Sequence, residues 1–93
     1  MKKTIMCSLC HNGVLGGALY FENQAITYKT NKLTVDKKYR NLLMPLSDIK
    51  DIVWSKKVFP IATIYMKNEE KYSFLIFDKN AFEKYYNEMK KDI

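Results

Sequence analysis

The sequence predicts a mainly β domain closed by a single C-terminal helix. Three observations carry this expectation. Short apolar segments separated by polar turns recur roughly every 8 to 12 residues, the spacing of an all-β chain. Within them apolar side chains alternate with polar ones, which turns one face of each segment inward. After Asp78 the period changes: Phe82, Tyr85, Tyr86 and Met89 fall at i, i+3, i+4 and i+7, one stripe of an amphipathic helix. A chain of 93 residues makes one domain, spanning 1–93, near the small end of what folds alone. With 47% hydrophobic and 28% charged residues, it has the composition of a folded globular protein and not of a disordered or collagen-like one.

The elements follow in order. Thr4 to Leu9 is β-competent, with His11-Asn12-Gly13 as the turn after it. Gly16-Gly17, just before Ala18, permits a bulge or a close backbone approach. Ala18 to Phe21 and Ala25 to Lys29 form a hairpin across Glu22-Asn23-Gln24, where Asn suits a positive φ. Tyr39 to Leu46 is the next strand, and Pro45 marks its end or an edge because it cannot donate to a ladder. Ser47-Asp48 turns the chain into Ile49 to Lys56. Phe59-Pro60 breaks it again before Ile61 to Met66. Asn68-Glu69-Glu70 is a charged tip leading into Lys71 to Phe77. Asp78 is placed to cap a helix over Lys79 to Lys91, with Lys90 and Lys91 favouring its negative end. That makes about seven strands and one helix. The expected core is Leu19, Phe21, Ile26, Tyr28, Leu42, Met44, Ile49, Val53, Ile64, Phe74, Ile76, Phe82 and Met89.

The net charge is +6, and fifteen of the sixteen basic residues are Lys. Arginine forks are what base readers and bidentate phosphate clamps use, so a Lys-rich chain points instead to diffuse attraction. Residues 29 to 57 hold eight basic and three acidic residues, whereas from Lys67 onward six Lys oppose six acids. A basic zone made of Lys29, Lys32, Lys37, Lys38, Arg40, Lys56 and Lys57 would attract anionic lipid headgroups or an acidic protein surface. Nucleic acid is disfavoured, because the chain has no RNP-like motif and no basic recognition helix.

Several motifs resemble those of a known family. Gly16-Gly17-Ala18-Leu19-Tyr20-Phe21-Glu22-Asn23-Gln24-Ala25-Ile26-Thr27-Tyr28-Lys29 is similar to the opening hairpin of GRAM domains. Pro45-Leu46-Ser47-Asp48-Ile49-Lys50-Asp51-Ile52 is similar to their Pro-Leu-x-Asp-Ile-x-x-Val join between strands. Tyr72-Ser73-Phe74, followed by Phe82 in a terminal helix, fits their last strand and helix. The chain thus resembles a bacterial GRAM domain over about residues 13 to 90. The resemblance implies a pleckstrin-homology-like fold, a bent antiparallel barrel of about seven strands plugged by the helix, and a binding role for lipids or proteins. The usual Thr of the hairpin is Glu22 here, and its turn holds no cation, so a phosphoinositide site in that loop is not expected.

Other chemistries suggested by local motifs each have a plainer account. Cys7-Ser8-Leu9-Cys10-His11 has the C-x-x-C-H spacing of haem attachment, yet no export signal precedes it. As a zinc site, Cys7, Cys10 and His11 supply three ligands where a closed site needs four. A redox pair would want a helix N-terminus at the first Cys. The plainer account is a strand whose residues three apart face opposite ways, with one thiol buried as a small hydrophobe. No paired carboxylates, phosphate loop or nucleophile context is recognisable, so an enzyme is not expected, nor any cofactor.

Trp54 and Ile52 share a face of their strand, opposite Val53. With Phe59 and Lys56-Lys57 close by in sequence, Trp54 and Phe59 could form a hydrophobic contact for a membrane interface or a partner protein. The longest apolar stretch, Val58 to Met66, is about half a membrane span. The expectation is a cytoplasmic, non-enzymatic binding module that contacts an anionic membrane surface or acidic protein. The alternative is a protein-interaction or homo-oligomerisation module without a lipid ligand.

Overall fold

A computed structural model of the chain describes residues 3–10, 14–30, 37–56 and 59–91. Seven antiparallel strands and one long helix are found among them, as the periodicity predicts. The strands are β1 (Lys3–Cys10), β2 (Val14–Glu22), β3 (Ala25–Lys29), β4 (Asn41–Pro45), β5 (Ile49–Lys56), β6 (Pro60–Met66) and β7 (Lys71–Ile76). A four-residue helix, α1 (Lys37–Arg40), precedes β4, and α2 (Lys79–Lys91) follows β7. The strand order is β4-β3-β2-β1-β7-β6-β5, one strongly curved sheet with β1 at its centre. It does not close into a barrel, because β4 and β5 do not pair. They are joined instead by the single 3-10 turn Leu46–Asp48.

Local chemistry sets the turns. Asn23 and Gln24 both have positive φ, 53° and 59°, the conformation that a two-residue hairpin loop requires. The β6–β7 tip closes with Glu69 at φ 73° and the Glu70 N–H donating to Asn68 Oδ1 at 3.0 Å. At the start of α2 the Ala81 N–H donates to Asp78 Oδ1 at 3.1 Å, so Asp78 is the N-cap. The strand expected from Tyr39 begins only at Asn41. Tyr39 and Arg40 form the end of α1 instead, where the Arg40 carbonyl accepts from the Thr30 N–H at 3.1 Å and the Tyr39 ring meets Tyr72.

The concave face of the sheet is the core. It holds Ile5, Cys7 and Leu9 from β1, Leu19 and Phe21 from β2, and Ile26 and Tyr28 from β3. Leu42, Met44, Ile49, Ile64, Phe74 and Ile76 complete it from the other strands, together with Ala62, Met66 and Tyr72. Val53 departs from the expected core and is 46% exposed. The cause is a β-bulge between Ile49 and Asp51, where β5 uses one residue more than β6 opposite it. The extra residue reverses the alternation, so Ile49, Ile52 and Trp54 turn inward and Val53 turns out.

Phe82 covers this face. Its ring lies edge-on to Phe21 and to Trp54, both at 5.1 Å between centroids, and beside Tyr86 at 6.2 Å. One side chain on α2 thereby bridges β2 and β5. Gly17 is closely hemmed in by its neighbours. A Cβ there would sit 2.5 Å from the Lys29 carbonyl oxygen and 2.7 Å from Tyr28 Cε1.

Two stability outcomes are expected. Truncating a fully buried phenylalanine removes its transfer energy and leaves a cavity, so Phe82→Ala should cost about 3–5 kcal/mol. Urea unfolding should show this as a lower midpoint, and Trp54 emission in the folded baseline should move to the red. Gly17→Ala forces a methyl against backbone that has no slack and should cost about 1–3 kcal/mol in the same measurement.

Candidate binding surfaces

The residues singled out by sequence divide among separate places. Lys29 is exposed near the end of β3, with its Nζ 5.1 Å from the centre of the Tyr20 ring. Arg40 is half-buried at the end of α1. Lys32, Lys57 and His11 lie outside the described residues, as do the side chains of Lys37, Lys38 and Lys56. Trp54 and Phe59 meet different aromatic rings. Trp54 is half-buried under α2 against Phe82, with Lys79 Nζ 4.9 Å above its ring. Phe59 meets Phe77 edge-on at 5.8 Å between centroids.

Phe59 and Phe77 belong to an apolar surface on the convex side of the sheet. Met6, Phe77 and Phe59 are 65%, 55% and 47% exposed. Alternation along β1 puts Met6 on the face opposite Ile5 and Cys7. Across the sheet Met6 is paired with Ala18, and Ala18 with Lys29, so the cation lies in the same row as the thioether. Met6, Ala18, Tyr20, Lys29 and Phe77 together wall an open recess of about 510 Å³. Gly16 and Ala18, small residues on the same face as Met6, keep this recess open. Met6 and Phe77 were not among the residues that the sequence brought forward. Met6 did carry a signal, as the one large apolar residue on the side of β1 that it shares with Thr4 and Ser8.

A second concavity, of about 540 Å³, lies between β5 and α2. Ile52, Trp54, Phe82 and Tyr86 line its apolar part, and Lys50, Lys79 and Lys90 supply cations. Lys90 Nζ is 5.1 Å from the centre of the Tyr86 ring. Burial raises the Tyr86 phenol above its ordinary range, and the Asp51 carboxylate adds to the shift. Asp51 Oδ1 itself accepts from the Ile52 N–H at 2.8 Å.

The Cys7–Cys10 pair sits on β1, and both are free thiols. Residues three apart on a strand face opposite sides. Cys7 is 1% exposed among the core side chains, while Cys10 is half-buried. Burial pushes the Cys7 thiol up to about 12, with a smaller push from Cys10. Such a thiol stays protonated at neutral pH and is neither a nucleophile nor a ready ligand. Among the described residues, no three His, Cys, Asp or Glu side chains gather as metal ligands. No helix among them is long and apolar enough to cross a membrane.

The sequence matches no protein-family model, and no curated protein matches it.

The environment of Cys7 makes a simple forecast. In the folded protein at pH 8 a thiol reagent such as iodoacetamide should leave Cys7 unmodified, and Cys7 should label only once denaturant opens the core. Peptide mapping by mass spectrometry reads this directly. The sign of the linkage is alkaline. A thiol with its folded pKa raised keeps its proton longer than the unfolded chain does, so this contribution to stability is lost as pH rises above about 8.5.

Proposed function

We propose that this chain is a non-enzymatic binding module of the GRAM, pleckstrin-homology-like kind, whose convex sheet face docks on an anionic lipid surface. The observation that carries the reading is the exposed Met6–Phe77–Phe59 surface beside Lys29. Apolar side chains that project next to cations are what an interfacial contact needs. The apolar groups enter the headgroup boundary while the charges stay with the phosphates. The Lys56-Lys57 pair directly precedes Val58 and Phe59 in the sequence, and residues 29 to 57 carry most of the net positive charge. Each Lys near an anionic surface contributes about 1 kcal/mol at modest ionic strength. Binding is therefore weak, additive and sensitive to salt.

Co-sedimentation with vesicles tests this. The protein should pellet with phosphatidylcholine vesicles that contain phosphatidylserine and stay in solution with phosphatidylcholine alone. Raising salt toward 1 M shortens the screening length to about 3 Å and should release it. Lys29→Ala should weaken binding about fivefold, the equivalent of about 1 kcal/mol. Phe59→Ser with Phe77→Ser should weaken it further while leaving the far-UV circular dichroism unchanged. Equal partition to neutral and anionic vesicles would remove the proposal. So would a dimer in light scattering that the Phe59→Ser, Phe77→Ser protein loses, because the apolar surface would then cover a second copy.

A further inference from the structure

The sequence holds five methionines, and the fold treats them unequally. Met44, Met66 and Met89 are buried in the core, and Met1 lies outside the described residues. Met6 is 65% exposed on the convex side of β1, where its neighbours along the strand are Thr4 and Ser8. It lines the open recess together with Phe77 and Lys29. The thioether is thus placed where dissolved oxidants reach it and where the exposed apolar surface meets its cation.

We propose that Met6 is a redox modification site, at which oxidation by hydrogen peroxide to methionine sulfoxide releases the convex face from anionic lipid. The proposal rests on the lipid reading above and adds its regulation. In the forward step a sulfur lone pair attacks one peroxide oxygen, and the S–O bond forms as the O–O bond breaks. The departing oxygen takes up the proton of the transferred one and leaves as water. Sulfur has lost two electrons and the peroxide has gained them. A flexible apolar side chain has become a polar one, and methionine sulfoxide reductases reverse the change.

The sheet tolerates this oxygen. Met6 points away from Ile5 and Cys7, so its sulfoxide enters no core space, whereas the same group at the fully buried Met44 would be a polar atom without a partner. The docking surface does not tolerate it, for two reasons. The sulfoxide dipole sits beside Phe77 and Phe59, the rings that enter the headgroup boundary, and holds water there. It also competes for the cation. Met6, Ala18 and Lys29 form one cross-strand row, and the Ala18 methyl is too short to keep the two longer side chains apart. Their backbones are two strand spacings apart, about 10 Å, a gap that extended side chains span. The Lys29 ammonium then donates to the sulfoxide oxygen instead of to a lipid phosphate.

Peroxide treatment of the full chain carrying Cys10→Ser tests the site, since that change removes the half-buried thiol as a second target. Peptide mapping by mass spectrometry should find Met6 oxidised before Met44, Met66 and Met89. The oxidised protein should bind phosphatidylcholine vesicles containing phosphatidylserine about tenfold more weakly, having lost one Lys contribution and one apolar contact. Its far-UV circular dichroism should not change. Methionine sulfoxide reductases for both epimers, with a dithiol reductant, should restore binding. Met6→Leu, whatever its starting affinity, should bind equally before and after peroxide. Met6→Gln, which puts an amide in place of the sulfoxide, should bind as weakly as the oxidised protein. The inference is overturned if the core methionines of the folded protein oxidise as fast as Met6. It is overturned equally if Met6-oxidised protein pellets with anionic vesicles as untreated protein does, or if peroxide weakens Met6→Leu as much as its parent. A failure of the lipid reading shows differently, as untreated protein that ignores anionic vesicles, and it overturns both.

Discussion

An open, curved sheet cannot stand with its concave face in water, and here one aromatic ring settles how that face is covered. Phe82 reaches from α2 into contact with Phe21 on β2 and Trp54 on β5, strands separated by three others in the sheet. Apolar burial is the dominant favourable term in folding, and edge-to-face aromatic pairs add to it. The rest of α2 follows that anchor. Tyr85 leans on Phe21 at 5.7 Å, Met89 is buried one turn farther on, and Glu88 pairs with Lys3 at the start of β1. That ion pair holds the Glu88 carboxyl below its ordinary range. It is half-exposed, and it orients the helix more than it stabilises the fold. The helix is thus fixed to both halves of a sheet whose edges do not meet.

The two faces of the sheet differ in their surroundings. The concave face is taken up by packing against α2. The convex face buries Ser8 and Thr27 but leaves Met6, Phe59 and Phe77 exposed. Gly17 marks the boundary between the two. With no Cβ it lets the Tyr28 ring and the Lys29 carbonyl close up from the core side. Thr30 reinforces the junction by donating its hydroxyl to the Gly16 carbonyl at 2.8 Å.

Much of this was legible in the sequence because it depends on short-range rules. Alternation in Lys71–Ile76, the Asn23 turn, the Asp78 cap and the helical stripe from Phe82 to Met89 are each set within a few residues. β1 was legible as a strand but not as the centre of the sheet, since its place depends on pairing with β7, more than 60 residues away. The bulge near Lys50 was not legible at all. No glycine marks it, and only the offset between Ile49 opposite Met66 and Ile52 opposite Ile64 reveals it. One inserted residue was enough to exchange Val53 for Ile52 and Trp54 on the inner face.

The binding surfaces were harder to read for the same reason, carried further. Trp54 and Phe59 are five residues apart, and proximity in sequence suggested one patch. A hairpin reverses the chain between them, however, so each takes its neighbours from a different element, Phe82 in one case and Phe77 in the other. The groove beside β5 joins Lys50 with Lys79 and Lys90, residues that no local pattern connects. Its existence follows from the sheet remaining open: had β4 paired with β5, no edge would face the helix. The Leu46–Asp48 turn prevents that closure, because it spends the Leu46 N–H on Gln24 and the Asp48 carbonyl on Lys67, tying each strand back to its own side. A three-residue turn therefore keeps this edge of the sheet open among the described residues.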